Sequence, residues 1–196
     1  MDGKDAMLAS PNPHRRLTYD DFLLFPDDDG LRHEIIDGEH YVTAAPNLRH
    51  QELVGRLHLT IGTFVEDRPE RGRVFLSPFD VVFSFHDIVE PDLVFVAPDQ
   101  FEILTAKNIQ GTPALVVEIL SPSTRKRDRE IKRQLYDRAG VREYWLVDPE
   151  QDAVAVHRRA GDGSFPPVAR LTAKALETLE TPLLTGWSLP LARLFR

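Results

Sequence analysis

The chain has no cysteine among its 196 residues. That excludes disulfides and thiolate metal sites, and it suits a reducing cytoplasm. No apolar run approaches the ~20 residues needed to span a bilayer, so no membrane span is expected. The opening residues, MDGKDAMLASPNPHRR, are polar and lack the apolar stretch of a signal peptide, which makes the cytoplasm the expected location. Positive charge is in deficit: 24 Lys and Arg face 31 Asp and Glu, a net charge of −7. Proteins that bind nucleic acid by counterion release usually show a basic surface, so any such contact here must use local basic clusters. Glycines are missing around Ser121 and Ser123, which flank Pro122, and without a nucleophile elbow serine catalysis is discounted. There is no internal repeat and no low-complexity segment.

What is present reads as one ordinary globular domain, 42% hydrophobic and 28% charged. Residues 1–16 read as a flexible tail and 17–196 as the domain. LTYDDFLLF opens a short helix with Thr18 as its N-cap. LRHEIIDGEHYVTAA reads as a hairpin, because Asp37-Gly38 is a strong turn pair. After Pro46-Asn47, a helix places Val54, Leu57, Ile61 and Val65 on one buried face. RVFLSP, FDVVFSF, IVEPDLVFV and ALVVEIL read as strands. A basic helix spans roughly 126–139, with Gly140 as its C′ residue. EYWLVDP is a further core strand, and VAVHRR another. This order predicts an α/β (α+β) domain, a mixed sheet with helices packed on it.

Two carboxylates carry most of the chemical information. Asp92 lies in IVEPDLVFV and Glu118 in PALVVEILSPS, both apolar, β-branched stretches where a buried charge is costly without a partner. Strand alternation puts Val116, Glu118 and Leu120 on one face, with Val117 and Ile119 on the other. Pro91 cannot donate to a ladder, so Asp92 belongs at a strand start or bend. The basic helix that follows carries Lys132. Two acids on adjacent strands can share a hard divalent cation such as Mg²⁺. With a lysine beside them, they are the minimum equipment of a metal-dependent phosphodiesterase.

The stretch from EPD through VVEILSPST, then Asp128, Lys132 and Tyr136, then AGVREYWLVDP, resembles the PD-(D/E)XK nuclease superfamily. Within it the chain is similar to the bacterial Uma-type restriction endonucleases. The resemblance runs from HEIIDGE to the final LARLF and is most specific over 114–149. It implies a restriction-endonuclease-like fold: a mixed sheet flanked by helices, with Mg²⁺ (or Mn²⁺) at the strand edge. Asp92 matches the family's metal-binding Asp and Glu118 its second acid, with the Ile119 carbonyl as a further ligand. It also implies a nucleic-acid partner, most naturally DNA. The superfamily's lysine stands two residues after the Glu, and here that position is Leu120. Lys132, at the side of an apolar stripe of Ile131, Leu135 and Ala139, is the candidate replacement, its ammonium expected to reach the sheet edge freely. The bland alternative is an i,i+4 ion pair with Asp128, worth ~0.3 kcal/mol.

Other residues leave two readings open. Glu34 is either an exposed hairpin charge or an acid approaching the metal. His50 is either a core histidine on a helix face or a lining residue of the site. Asp80 is a third metal-proximal acid or a strand-edge cap. Arg125, Lys126, Arg127, Arg129, Lys132 and Arg133 form the strongest basic cluster: a phosphate contact, or a solvated helix face. Tyr136, Tyr144 and Trp145 read as core. The leading reading is a Mg²⁺-dependent endonuclease, working as a dimer because two symmetric sites cut two strands most simply. The alternative is a catalytically silent nuclease-fold protein that binds nucleic acid or a protein partner, favoured by Leu120 and the net charge.

Overall fold

A computed structural model describes residues 15–26, 29–66 and 68–196. Most of the expected tail, residues 1–14, lies outside these residues. Arg15 and Arg16, at the end of the expected tail, contact the domain through Asp21 and Asp37. Thr18 caps helix α1 (Tyr19–Phe22) with a reciprocal box to Asp21, as its position predicts. Strands β1 (Leu31–Ile36) and β2 (Glu39–Ala44) form the expected hairpin. Its turn has positive φ at both Asp37 and Gly38, the conformation for which Asp-Gly is selected.

Helix α2 (Leu48–Glu66) starts where Asn47 Oδ1 accepts the His50 N–H. It is followed by β3 (Arg73–Leu76), β4 (Val81–Ser84), β5 (Asp87–Val89), β6 (Leu93–Val96), β7 (Ile109–Gln110) and β8 (Leu115–Ile119). The IVEPDLVFV run is therefore not one strand. Pro91 removes a ladder donor, and the chain turns a corner through Glu90-Pro91-Asp92. β5 and β6 then belong to different sheets, in the orders β2-β1-β5-β4-β7 and β11-β10-β9-β8-β6-β3, once β9 (Glu143–Asp148), β10 (Ala153–Arg158) and β11 (Pro167–Thr172) are added. β12 (Thr178–Glu180) and β13 (Ser188–Pro190) form a separate ribbon before α5 (Leu191–Leu194). β8 runs parallel to β9 and antiparallel to β6, so the larger sheet is mixed.

The alternation of β8 assigns its two faces. Leu115, Val117 and Ile119 pack with Leu53, Leu57 and Ile61 of α2. Val116 and Leu120 pack on the other side with Leu135, Tyr136 and Val81. That second side is covered by the basic helix, which is not uniform. It runs as α3 (Arg125–Arg127), a π turn (Asp128–Lys132) and α4 (Arg133–Arg138). A π turn inside a helix often marks a functional position. Here its first and last residues, Asp128 and Lys132, are both buried beneath the helix. Gly140 follows with φ of 84°, the left-handed C′ conformation expected of it.

Candidate active site

The corner between the sheets places Asp92 beside the end of β8. The β6–β8 ladder stops at Leu93 and Val117, so the Ile119 N–H has no strand partner. Asp92 Oδ2 accepts it at 2.8 Å. A strand residue's N–H and C=O point to the same side, so the Ile119 carbonyl also faces the Asp92 corner. His50, from the first turn of α2, brings Nε2 to 3.0 Å from the same Oδ2. Arg32 of β1 donates to Oδ1 at 3.0 Å. Asp92 is thus only 2% exposed, yet each of its oxygens is engaged.

Glu118 leaves the opposite face of β8, on the side of the helix. Its Oε1 accepts from Lys132 Nζ at 2.8 Å and from Tyr136 O–H at 2.7 Å. Lys132 Nζ also stands 2.7 Å from Glu34 Oε1, and Asp128 Oδ1 lies at 3.9 Å. Glu34 Oε1 in turn accepts the Glu90 N–H at 3.0 Å, which ties the hairpin to the corner. The exposed-hairpin reading of Glu34 is wrong: it is 0% exposed. The Lys132 ammonium is not free either. It is 1% exposed and clamped between two acids, because the π turn aims it into the sheet instead of along it.

Asp92, Glu118, Ile119, His50 and Lys132 all line one cleft of about 470 Å³. Arg32, Arg127, Asp128 and the Ser121–Thr124 turn line it too. Asp80 does not. It lines a separate depression with Phe25, His33 and Glu90, outside the cleft of Asp92 and Glu118. Arg32, Asp128 and Tyr136 were not singled out for the site from sequence. Arg32 had a signal: two residues before Glu34 on one strand, it shares Glu34's face.

Much of the basic cluster is consumed internally. Arg125 and Arg129 pair with Asp148, and Arg125 also with Glu150. Arg127 lies 3.5 Å from Glu34 Oε2. The helix is therefore no uniformly solvated basic face.

The electrostatics separate the two acids. Burial pushes Asp92 up, but the His50 hydrogen bond, Arg32 and the Ile119 N–H outweigh it and hold the carboxyl at about 2. Burial pushes Glu118 up to about 8; Lys132 opposes the rise, while Asp92, Asp128 and Glu34 add to it. Burial would discharge Lys132, but Glu118, Glu34 and Asp128 hold it above its ordinary value, so it stays cationic.

Among the described residues, no group of three or more His, Asp or Glu stands ready for a metal ion. Magnesium does not need one, since it keeps several waters and takes one or two carboxylates plus substrate phosphate. Asp92 and Glu118 offer hard oxygens on one cleft. In the buried network, the acids Glu34, Asp92, Glu118 and Asp128 meet the cations Arg32, Arg127 and Lys132. Glu34 Oε2 and Asp128 Oδ1 remain buried without a hydrogen bond. Hard-oxygen donor chemistry and these two unbonded buried carboxylate oxygens fit an oxygen-liganded divalent cation.

Comparison with known proteins adds a family and a fold. Residues 19–192 match the model of the Uma2 family, described as a putative restriction endonuclease. No curated protein matches the chain. The crystal structure of a putative nuclease belonging to DUF820, from Anabaena variabilis ATCC 29413, superposes with a TM-score of 0.75 at 21% identity, covering 91% of this chain and 97% of that one. At that identity the likeness shows the fold alone: mixed sheets flanked by helices, the architecture that the sequence resemblance implies. No helix among the described residues is long and apolar enough to cross a membrane.

Proposed function

This chain belongs to the Uma2 family of putative restriction endonucleases, and from that premise we propose that it is a Mg²⁺-dependent endonuclease hydrolysing phosphodiester bonds of DNA. The observation that carries the reading is the cluster in one cleft: the Asp92 carboxylate, Glu118, and a buried lysine on Glu118. Asp92 and Glu118 would hold the cation, with the Ile119 carbonyl beside them. Bound there, Mg²⁺ supplies a Lewis acid for the phosphate and a coordinated water of lowered pKa.

The chain's own residues do the rest. His50 and the Ile119 N–H fix the orientation of Asp92 and keep it ionised. Glu34 and Tyr136 set the Lys132–Glu118 contact from two sides. Lys132 replaces the cation missing at Leu120 and stabilises charge that develops on the phosphate. Leu120 itself is 3% exposed, lines the cleft, and packs with Leu135 and Tyr136. Two copies of the chain, each with one cleft, would cut the two strands of a duplex.

A second reading has one observation in its favour. Arg125 and Arg129 of the basic helix are already neutralised by Asp148 and Glu150. That leaves few free cations for a duplex and fits a silent nuclease-fold protein that binds a partner. A cleavage assay on duplex DNA with Mg²⁺ or Mn²⁺ separates the two readings: turnover that Asp92→Asn abolishes supports the nuclease, and no turnover in any divalent cation supports the silent protein.

A further inference from the structure

Arg32 stands on the very carboxylate that the nuclease reading gives to the cation. Its Nη1 donates to Asp92 Oδ1 at 3.0 Å and to the Glu90 carbonyl at 3.1 Å. Its Nε lies 3.9 Å from Glu90 Oε2. Asp92 Oδ2 is already committed to His50 and to the Ile119 N–H. Oδ1 is therefore the oxygen open to exchange, and Arg32 contests it. The guanidinium cannot escape the contest by losing its proton. Like charges sharing one poorly solvated carboxylate repel strongly, so a cation on Asp92 and the Arg32 ion pair exclude each other.

Arg32 also has somewhere to go. Its side chain is 18% exposed and lines the cleft, unlike a guanidinium locked inside a core. The Glu90 carbonyl gives it a second acceptor that does not depend on Asp92. A planar fork of donors matches a phosphate better than it matches one carboxylate oxygen. No other guanidinium or ammonium of the cleft stands on Asp92 among the described residues: Arg49 is held by Glu52, Asp152 and the Phe195 carbonyl. Lys132 is clamped by two acids, and Arg127 is held by Glu34 and Thr43.

We propose that Arg32 couples cation binding to phosphate binding: it holds Asp92 in the protein alone, and in the complex it yields Asp92 to the divalent cation and takes a phosphate oxygen of the nucleic acid. The proposal rests on the nuclease reading and adds an order to it. A cation alone must displace Arg32 with nothing to receive it, so it binds weakly. Phosphate receives Arg32, so cation and nucleic acid bind cooperatively, and each raises the affinity of the other by one factor. Arg32 is a positioning residue for the metal acid and a contact residue for substrate.

The test is calorimetric titration of Mn²⁺ into the wild type, Arg32→Gln and Arg32→Lys, with and without a nonhydrolysable DNA oligonucleotide. Arg32→Gln should bind Mn²⁺ alone at least tenfold more tightly than the wild type. The oligonucleotide should tighten Mn²⁺ binding to the wild type but leave Arg32→Gln unchanged. Arg32→Lys keeps the charge and loses the fork, so Mn²⁺ alone should bind it as it binds the wild type, with a smaller gain from the oligonucleotide. Equal or weaker Mn²⁺ binding by a folded Arg32→Gln overturns the coupling and makes Arg32 a strap across the Glu90–Asp92 corner. Should Arg32→Gln not fold, an undiminished oligonucleotide gain in Arg32→Lys overturns it instead. Absence of Mn²⁺ binding to all three proteins overturns the metal reading itself, and the coupling with it.

Discussion

Lys132 Nζ lies 2.8 Å from Glu118 Oε1, though the residues are 14 positions apart on a helix and a strand. In the proposed nuclease the contact would supply from the side what the strand omits at Leu120. It also makes Lys132 part of the fold, because the ammonium is buried with Glu34 on its other side. Lys132→Met removes a buried cation from two buried acids. Breaking such a pair costs ~3–5 kcal/mol, so melting in metal-free buffer should fall clearly. Turnover should fall by roughly 10²-fold or more. Adding Glu118→Gln to Lys132→Met should recover much of the melting temperature and none of the activity. A Lys132→Met protein that melts like the wild type would contradict the buried pairing.

Glu118 sets a pH dependence whose sign follows from its burial. Its folded value, pushed to about 8, lies above its ordinary 4.5. The protonated form is thus favoured by folding, and this stabilisation is fully present below 4.5 and lost as pH rises through 8. Glu118→Gln never ionises. In metal-free buffer its melting temperature should match or exceed the wild type's, and the margin should widen from pH 5 to pH 8.5. Differential scanning calorimetry at the two pH values reads it; a margin that narrows would show Glu118 held ionised by Lys132 throughout.

The charged helix should contribute to DNA binding unevenly. Lys126 is exposed and has no ion pair among the described residues, whereas Arg129 is paired with Asp148. Lys126→Met should weaken binding and reduce the slope of log affinity against log salt by about one phosphate contact. Arg129→Met should leave that slope unchanged. Equal effects of the two changes in a salt titration would mean the Asp148 pair opens on binding.

Much of this site was legible in the sequence, and its failures have physical causes. Asp92 and Glu118 announced themselves as charges inside β-branched runs, and both line the cleft. The Asp37-Gly38 turn, the Thr18 cap and the α2 face depend on local chemistry and appear as expected. Glu34 was undecided, because its burial comes from Lys132, 98 positions away by number, and no local pattern encodes that contact. The Lys132 direction was misjudged because a regular helix was assumed over 126–139, while the π turn rotates the face. IVEPDLVFV reads as one strand and is two, although Pro91 rightly puts Asp92 at a bend before the second. Asp80 shares the acid-beside-a-strand pattern and still lies in a different depression, since strand patterning says nothing about which sheet edge a strand joins.

The chain should form a dimer in solution if it cuts both strands of a duplex in one encounter. Sedimentation velocity at micromolar concentration should show a species of about twice the 22.3 kDa chain mass. Monomer alone, with double-strand breaks still produced in a single step, would remove the dimer from the account and leave the cleft chemistry intact.

The most direct measurement is cleavage of duplex DNA by purified wild type and Asp92→Asn, each with Mg²⁺, with Mn²⁺ and with EDTA. Breaks are expected from the wild type only in the presence of a divalent cation, and none from Asp92→Asn under any condition. Equal cleavage by both proteins, or none by the wild type with either metal, would contradict the nuclease reading.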